Sequence, residues 1–204
     1  MALNKNPRET EWASEINGAK WIPKGMDTEN NNSVWAVQEG YLNLLELVDS
    51  IAVREDRGFL RAEVQKTVLM LTAALIMVDG KYNDGEQALI RHLVDYSDKP
   101  GGELRYLNEY ASLWEVESKA IPHFIHAAVR CDRDIARSML CEIQSIGNNV
   151  CVSGRNYQKK QREIIMNYMA LLEAFIDRVE LEATSQLCEE RKPWESSEEE
   201  SSES

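Results

Sequence analysis

The chain has 204 residues, 43 % of them hydrophobic, and carries 23 Lys and Arg against 35 Asp and Glu, a formal charge of −12. That length fits one ordinary domain with tails. The acidity argues against wholesale duplex binding, which is built on Lys and Arg neutralising phosphates. Residues 189–204 hold seven Glu against Arg191 and Lys192, so −5 of the total sits there and the body keeps about −7.

Residues 1–32 are polar and rich in Asn, Glu and Lys, with Trp12, Trp21 and Pro23 as islands, and read as a mobile arm. Ser33 is the expected N-cap of a first helix that carries Val34, Val37, Tyr41, Leu44, Leu45, Val48 and Ile51 at 3–4 spacing. Gly58 is expected to break it. A second helix over about 60–79 places Val64, Val68, Leu71, Leu75 and Val78 on one stripe that Leu69 and Ile76 widen, which is the pattern of a central core helix. A third, 84–96, carries Ala88, Leu89, Leu93 and Tyr96 before the Pro100-Gly101-Gly102 punctuation. A fourth runs from about Glu103 to Glu117 through Leu104, Leu107, Tyr110, Ala111 and Trp114.

Pro122 fits the first turn of a short fifth helix, and Asp132 or Asp134 can cap a sixth that ends near Gly147 or Gly154. Asn156 caps a long seventh through Ile164, Ile165, Tyr168, Leu171, Leu172, Phe175 and Val179. No segment alternates β-branched residues as a strand would. The expectation is an all-α fold, a compact bundle of about seven helices over 33–187, with an acidic disordered tail at 188–204.

The densest chemistry lies where the second helix ends. Ten of the eleven residues from Val68 to Val78 are apolar, and the run stops at Asp79-Gly80. Glycine past an apolar run ends a helix because it enters the left-handed region without a Cβ penalty. Asn83 followed by Glu86 is a capping box for the next helix. Asp79, Asp84 and Glu86, with the carbonyls around Lys81, offer the hard oxygen ligands that Ca²⁺ or Mg²⁺ takes, in a weak site unless water or a partner completes the shell. Capping alone accounts for Glu86. Asp79 breaks a local rule, since a negative charge is unfavourable at a helix C-terminus.

Four cysteines, Cys131, Cys141, Cys151 and Cys188, form no CxxC pair and have no His at zinc spacing. They read as buried, reduced thiols of a cytoplasmic protein. Met1 to Lys24 lacks the pattern of a signal peptide, and the 68–78 run would rise only about 16 Å as a helix, too short for a transmembrane segment. His123 and His126, spaced i, i+3, could share a metal, but no Glu-x-x-His completes a site, and structural histidines are the favoured reading. Walker A, GxGxxG and GxSxG motifs are absent from the sequence.

Arg155, Lys159, Lys160 and Arg162 cluster at the start of the seventh helix. Cations there oppose the macrodipole, so the cluster is a candidate contact for an acidic partner, a phosphate-bearing ligand or the chain's own Glu-rich tail. A solvated face is the bland alternative.

Leu75 to Val94 (LIMVDGKYNDGEQALIRHLV) echoes Asn149 to Met169 (NVCVSGRNYQKKQREIIMNYM), as two pseudo-symmetric halves would, with Ser153 in the place of Asp79. The apolar-Asp-Gly helix end with Glu seven residues after the Asp resembles the signature of TerB-like domains from tellurite-resistance clusters. The stretch IPHFIHAAVRCDRDIARSMLCEIQSIGNNV is similar to the second half of that domain, and the resemblance covers roughly 35–180. It implies an all-α pseudo-symmetric fold, an acidic surface suspected of binding divalent cations, and a cytoplasmic, non-enzymatic role in stress response or phage defence. It also implies a protein partner such as an AAA-type ATPase. Ser153 puts a second metal site in doubt. Two other readings compete: a metal-dependent hydrolase using Asp79, Glu86 and His92, and a nucleic-acid or nucleotide sensor working through 155–162.

Overall fold

The computed structural model describes residues 28–53, 56–78, 86, 89–90, 102–153 and 159–190. Among them every regular element is a helix: α1 (Thr28–Ile51), α2 (Arg57–Met77), α3 (Gly102–Glu117), α4 (His123–Cys131), α5 (Arg133–Ser153) and α6 (Lys159–Glu190). The all-α expectation holds. Six of the seven expected helices are present among the described residues; the remaining one, 84–96, lies mostly outside them, and of its residues Glu86, Leu89 and Ile90 are described as helical and buried.

Three boundaries differ from the sequence reading. α1 starts at Thr28, so Ser33 lies inside it and is buried rather than capping it. The apolar stripe begins only at Val34, and a polar first turn leaves no periodic signal to read. Gly58 does not break a helix either: α1 ends at Ile51, and Gly58 is the second residue of α2 with open space where a Cβ would be. α6 runs on to Glu190, past the expected end at 187. Residues 1–27 and 191–204 lie outside the described part.

α2 holds the centre. Its residues from Thr67 to Ile76 are buried without interruption, so the helix is covered on every side through its C-terminal half. It packs on α1, α3, α4 and α5, while α5 packs on α1, α2, α4 and α6. The sequence neighbours α1–α2 and α4–α5 also pack on each other. Among the described residues the most extensive helix interface, α1 on α5, is closed by a glycine: a Cβ on Gly40 would sit 2.9 Å from Ile146 Cγ1.

Polar links tie the periphery to this centre. Lys66 Nζ lies 2.6 Å from Glu117, joining α2 to α3, and Asn43 donates to Glu142 at 3.1 Å, joining α1 to α5. Arg137 reaches Glu180 at 2.8 Å across α5 and α6. Asp132 works on two helices. Its backbone N–H donates to the Ala128 carbonyl at 2.7 Å, closing α4, and its carboxylate accepts the Asp134 N–H at 2.8 Å, opening α5. The choice the sequence left open between Asp132 and Asp134 therefore falls on Asp132.

Candidate functional site

The first sequence-predicted site lies at the end of α2. Of Asp79, Asp84 and Glu86, only Glu86 falls within the described residues. It is helical and 4 % exposed. A carboxylate at that depth requires hydrogen bonds or a cation to offset its lost hydration, and Glu86 does have a partner. Burial makes it part of the fold's interior, a role no apolar pattern could have announced for a glutamate.

The second is the start of α6. Lys159, Lys160 and Arg162 are exposed, and Lys159, 90 % exposed, meets Glu163 at a loose 3.7 Å one turn along. Arg155 lies outside the described residues. Between these cations sits Gln161, 3 % exposed, whose Nε2 donates to the Leu75 carbonyl at 2.9 Å. That contact places the first turn of α6 against the last turn of α2. The structure therefore brings the basic cluster beside the helix that leads into the acidic turn, two features that lie about eighty residues apart in the chain. It also supplies an electrostatic reason for the cations. They oppose the dipole of α6 but stand beside the negative end of α2.

A third arrangement, unforeseen as a site, surrounds the start of α4. Pro122 occupies the N-cap position and has no side chain to offer, so α2 provides the cap: Glu63 accepts the Phe124 N–H at 3.0 Å. Its other oxygen holds His123 Nδ1 at 2.8 Å, and Phe59 meets the same imidazole edge-on at 5.5 Å. One turn on, His126 stands edge-to-face with Phe175 at 4.5 Å, and Arg178 Cζ lies 5.6 Å from that ring.

His126, Phe175 and Arg178 open onto a cleft of about 300 Å³ between α4 and α6, which Val129, Arg130 and Val179 also line. Glu182 also lines it and makes a 4.0 Å contact with Arg178. Partial burial pushes the His126 pKa down, and the neighbouring charges of His123 and Arg130 push the same way against the pull of Glu63; Arg178 adds a smaller push down. The spacing 126, 129, 130 on one helix and 175, 178, 179, 182 on the other marks two matched faces, but nothing in the sequence says that they face each other.

His123 and His126 have ring centres 6.4 Å apart. Their partners are a carboxylate and an aromatic ring, in keeping with the structural reading. Among the described residues no three His, Cys, Asp or Glu side chains gather as a metal site would.

The cysteine expectation needs correction. Cys151 is buried, and desolvation pushes its thiol up to about 12, but Cys131 and Cys141 are exposed. Their ten-residue spacing turns each to a different face, so one buried member says nothing about the others. Cys188 lies in α6, with its side chain outside the described part. Tyr168, edge-on to Trp114 at 4.7 Å between α3 and α6, also has its pKa raised, by desolvation and then by Glu63.

No protein-family model, curated protein or solved structure matches this chain. Among the described residues no helix is long and apolar enough to cross a membrane.

Proposed function

We propose that this chain is a non-enzymatic helical interaction module, TerB-like in kind, that docks on a larger protein partner of a cytoplasmic stress-response or phage-defence system, such as an AAA-type ATPase. The observation that supports it is the first turn of α6, where Lys159, Lys160 and Arg162 are all turned to solvent around the buried Gln161. Anchoring the turn falls to Gln161, through Leu75. The three cations are left as contact groups, with one loose pair to Glu163 among them. Several such charges acting together steer association and make it depend on salt.

The acidic turn that follows α2 in the sequence belongs to the same reading. Asp79 and Asp84, with Glu86 at the buried edge, would make the surface responsive to Ca²⁺ or Mg²⁺. The direct test is capture of partners by the full chain and by a Lys159→Glu, Lys160→Glu variant, followed by association kinetics with the partner recovered. Slower association in the variant, and weakening between about 50 and 300 mM salt as the Debye length falls below about 10 Å, are the expected results. Kinetics unmoved by both would place the contact elsewhere. Calorimetric titration with either cation at millimolar concentration, showing no heat and no rise in melting temperature, would remove the cation response.

A further inference from the structure

α1 and α5 run antiparallel, and two contacts fix their register: Gly40 faces Ile146, and Asn43 donates to Glu142 at 3.1 Å. Trp35 is five residues before Gly40 and Val152 six residues after Ile146, so the two stand within about 2 Å of the same height. Both turn away from the core, 58 % and 55 % exposed. Large apolar side chains at one height on neighbouring helices mark a surface that gains by being covered. The charge on that surface has one sign. α1 carries Glu29, Glu39, Glu46 and Asp49 and no Lys or Arg. On α5, residues 138–153 contain a single charged side chain, Glu142.

Reach, apolar content and charge together select what covers it. α1 begins at Thr28, seven residues or about 10 Å along the helix from Trp35, so the preceding chain joins at this end. With half of an interhelix spacing sideways and the height of the side chains added, the gap between Trp35 and Val152 is about 12–15 Å from Thr28. Trp21 precedes Thr28 by seven residues, which span on the order of 15 Å as a coil and about 24 Å fully stretched. Trp194 is out of range. Gly147 faces Ile165, so Val152 stands level with the first turn of α6, about 45 Å from Glu190, and four further residues reach only about 14 Å. Trp12 has the reach but the wrong neighbours: Glu9, Glu11 and Glu15 surround it against Arg8 alone, and the carboxylates of α1 repel them. Residues 16–26, INGAKWIPKGM, hold Lys20 and Lys24 and no Asp or Glu around Trp21, Ile22 and Pro23. Within 1–27 only this stretch joins an aromatic to net positive charge.

We propose that residues 20–24 dock on the outer face of α1 and α5 of the same chain, with Trp21 and Ile22 seated between Trp35 and Val152 and Lys20 paired with Glu39. The path supports that register. Residues 25–27, Gly25 among them, suffice to reverse direction ahead of Thr28. The extended run from Lys24 to Trp21 then covers about 10 Å back along α1, which is the height of Trp35. Lys20 comes opposite the next turn of α1, which carries the exposed Glu39. The tethered segment binds at the high effective concentration of an intramolecular ligand, so weak individual contacts suffice. The docking uses the carboxylates of α1 and none of the cations of α6, so it stands apart from the partner surface at the start of α6.

The test uses the full chain labelled with 5-fluorotryptophan, with Phe substitution one at a time to assign its five Trp resonances. At low salt the Trp21 signal should lie away from its position in the urea-unfolded chain, and Trp21→Ala should shift the Trp35 signal. Glu39→Lys, Lys20→Glu and Val152→Lys should each return Trp21 to the unfolded-chain position, and Lys20→Glu combined with Glu39→Lys should restore the displacement. Glu39 and Val152 are exposed, and the resonance of the buried Trp114 reports whether the variants keep the fold. Displacement that persists through about twenty-fold dilution confirms docking within one chain. A Trp21 signal at the unfolded-chain position in the unmodified protein would overturn the proposal, as would displacement that all three single substitutions leave unmoved. Displacement that fades on dilution would overturn it too, by assigning the contact to the arm of a second copy.

Discussion

α2 and α6 are the two longest-range organisers of this fold, and they work in opposite ways. α2 is a 21-residue helix with twelve buried residues, ten of them consecutive. α6 is 32 residues long, yet its buried residues among those described fall on one stripe, Gln161, Ile165, Tyr168, Met169, Leu172, Phe175 and Ile176. Its outer face shows Lys159, Lys160, Arg162, Met166, Arg178 and Leu181 to solvent. The C-terminal half of α2, which carries most of its buried residues, has almost nothing left to offer a ligand. The helix that offers both candidate surfaces contributes only one face to the core. Stability and recognition are thereby placed on separate elements, so each can be altered with little effect on the other.

The largest effect should come from the core of α2. Leu75 is fully buried, and Leu75→Ala should destabilise the protein by about 2–5 kcal/mol in denaturant unfolding, the range for a deleted core leucine. Met166→Ala, on the outer face of α6 at 56 % exposure, should stay within about 0.5 kcal/mol of wild type. Equal losses at the two positions would end the contrast.

The two glycines at the margins of these helices sharpen it. A Cβ on Gly147 of α5 would come within 3.0 Å of Ile165 Cγ1, and Ile165 is itself 4 % exposed on the inner stripe of α6. Overpacking costs about 1–3 kcal/mol and Ala recovers about 1 kcal/mol of helix propensity, so Gly147→Ala should destabilise by a net of about 1 kcal/mol. Gly58, at the open start of α2, meets nothing within 4 Å. There the propensity gain stands alone, and Gly58→Ala should stabilise by about 0.5–1 kcal/mol. Melting of both variants reads the sign directly. The same sign at both positions would mean that α6 is held more loosely than its inner stripe indicates.

How much of this the sequence could tell depends on whether the cause was local. Helical periodicity is local, and the stripes of α1 and α6 and the continuous run of α2 were all readable from it. The Asp132 cap was visible for the same reason, since the aspartate and the N–H it accepts are two residues apart. What stayed hidden depends on contacts between helices. Glu63 caps a helix sixty residues away, Gln161 holds a carbonyl of α2, and the groove exists only because α4 and α6 lie side by side. Gly58 misled because a glycine near a helix start and a glycine that stops a helix have the same local sequence signature. Asp79, Asp84 and Arg155 lie outside the described residues, so the acidic turn rests on its sequence argument.

The smallest effect concerns α6 through its contact with α4, and its sign follows from one imidazole. His126 has its pKa lowered in the folded protein, first by desolvation against its surroundings and then by His123 and Arg130. An unfolded chain returns the group to its ordinary value of about 6.5. Below that value the unfolded state binds more protons than the native state, so acidification favours unfolding. The contribution of His126 is fully present above about pH 6.5 and is lost as pH falls through its lower native value. Stability measured by denaturant at pH 7.5, 6.5 and 5.5 should therefore decline, and His126→Phe should decline less steeply. Phenylalanine keeps an aromatic edge for Phe175, 4.5 Å away in the native packing, while removing the proton. Glu63, which pulls the other way, is a second control: with Glu63→Gln the decline should be deeper and continue to lower pH, because the charge that favours imidazolium is gone and the native pKa falls further below the unfolded one. Parallel slopes for wild type and His126→Phe would show that the acid sensitivity belongs to other groups, and that the α4–α6 contact is insensitive to the charge placed within it.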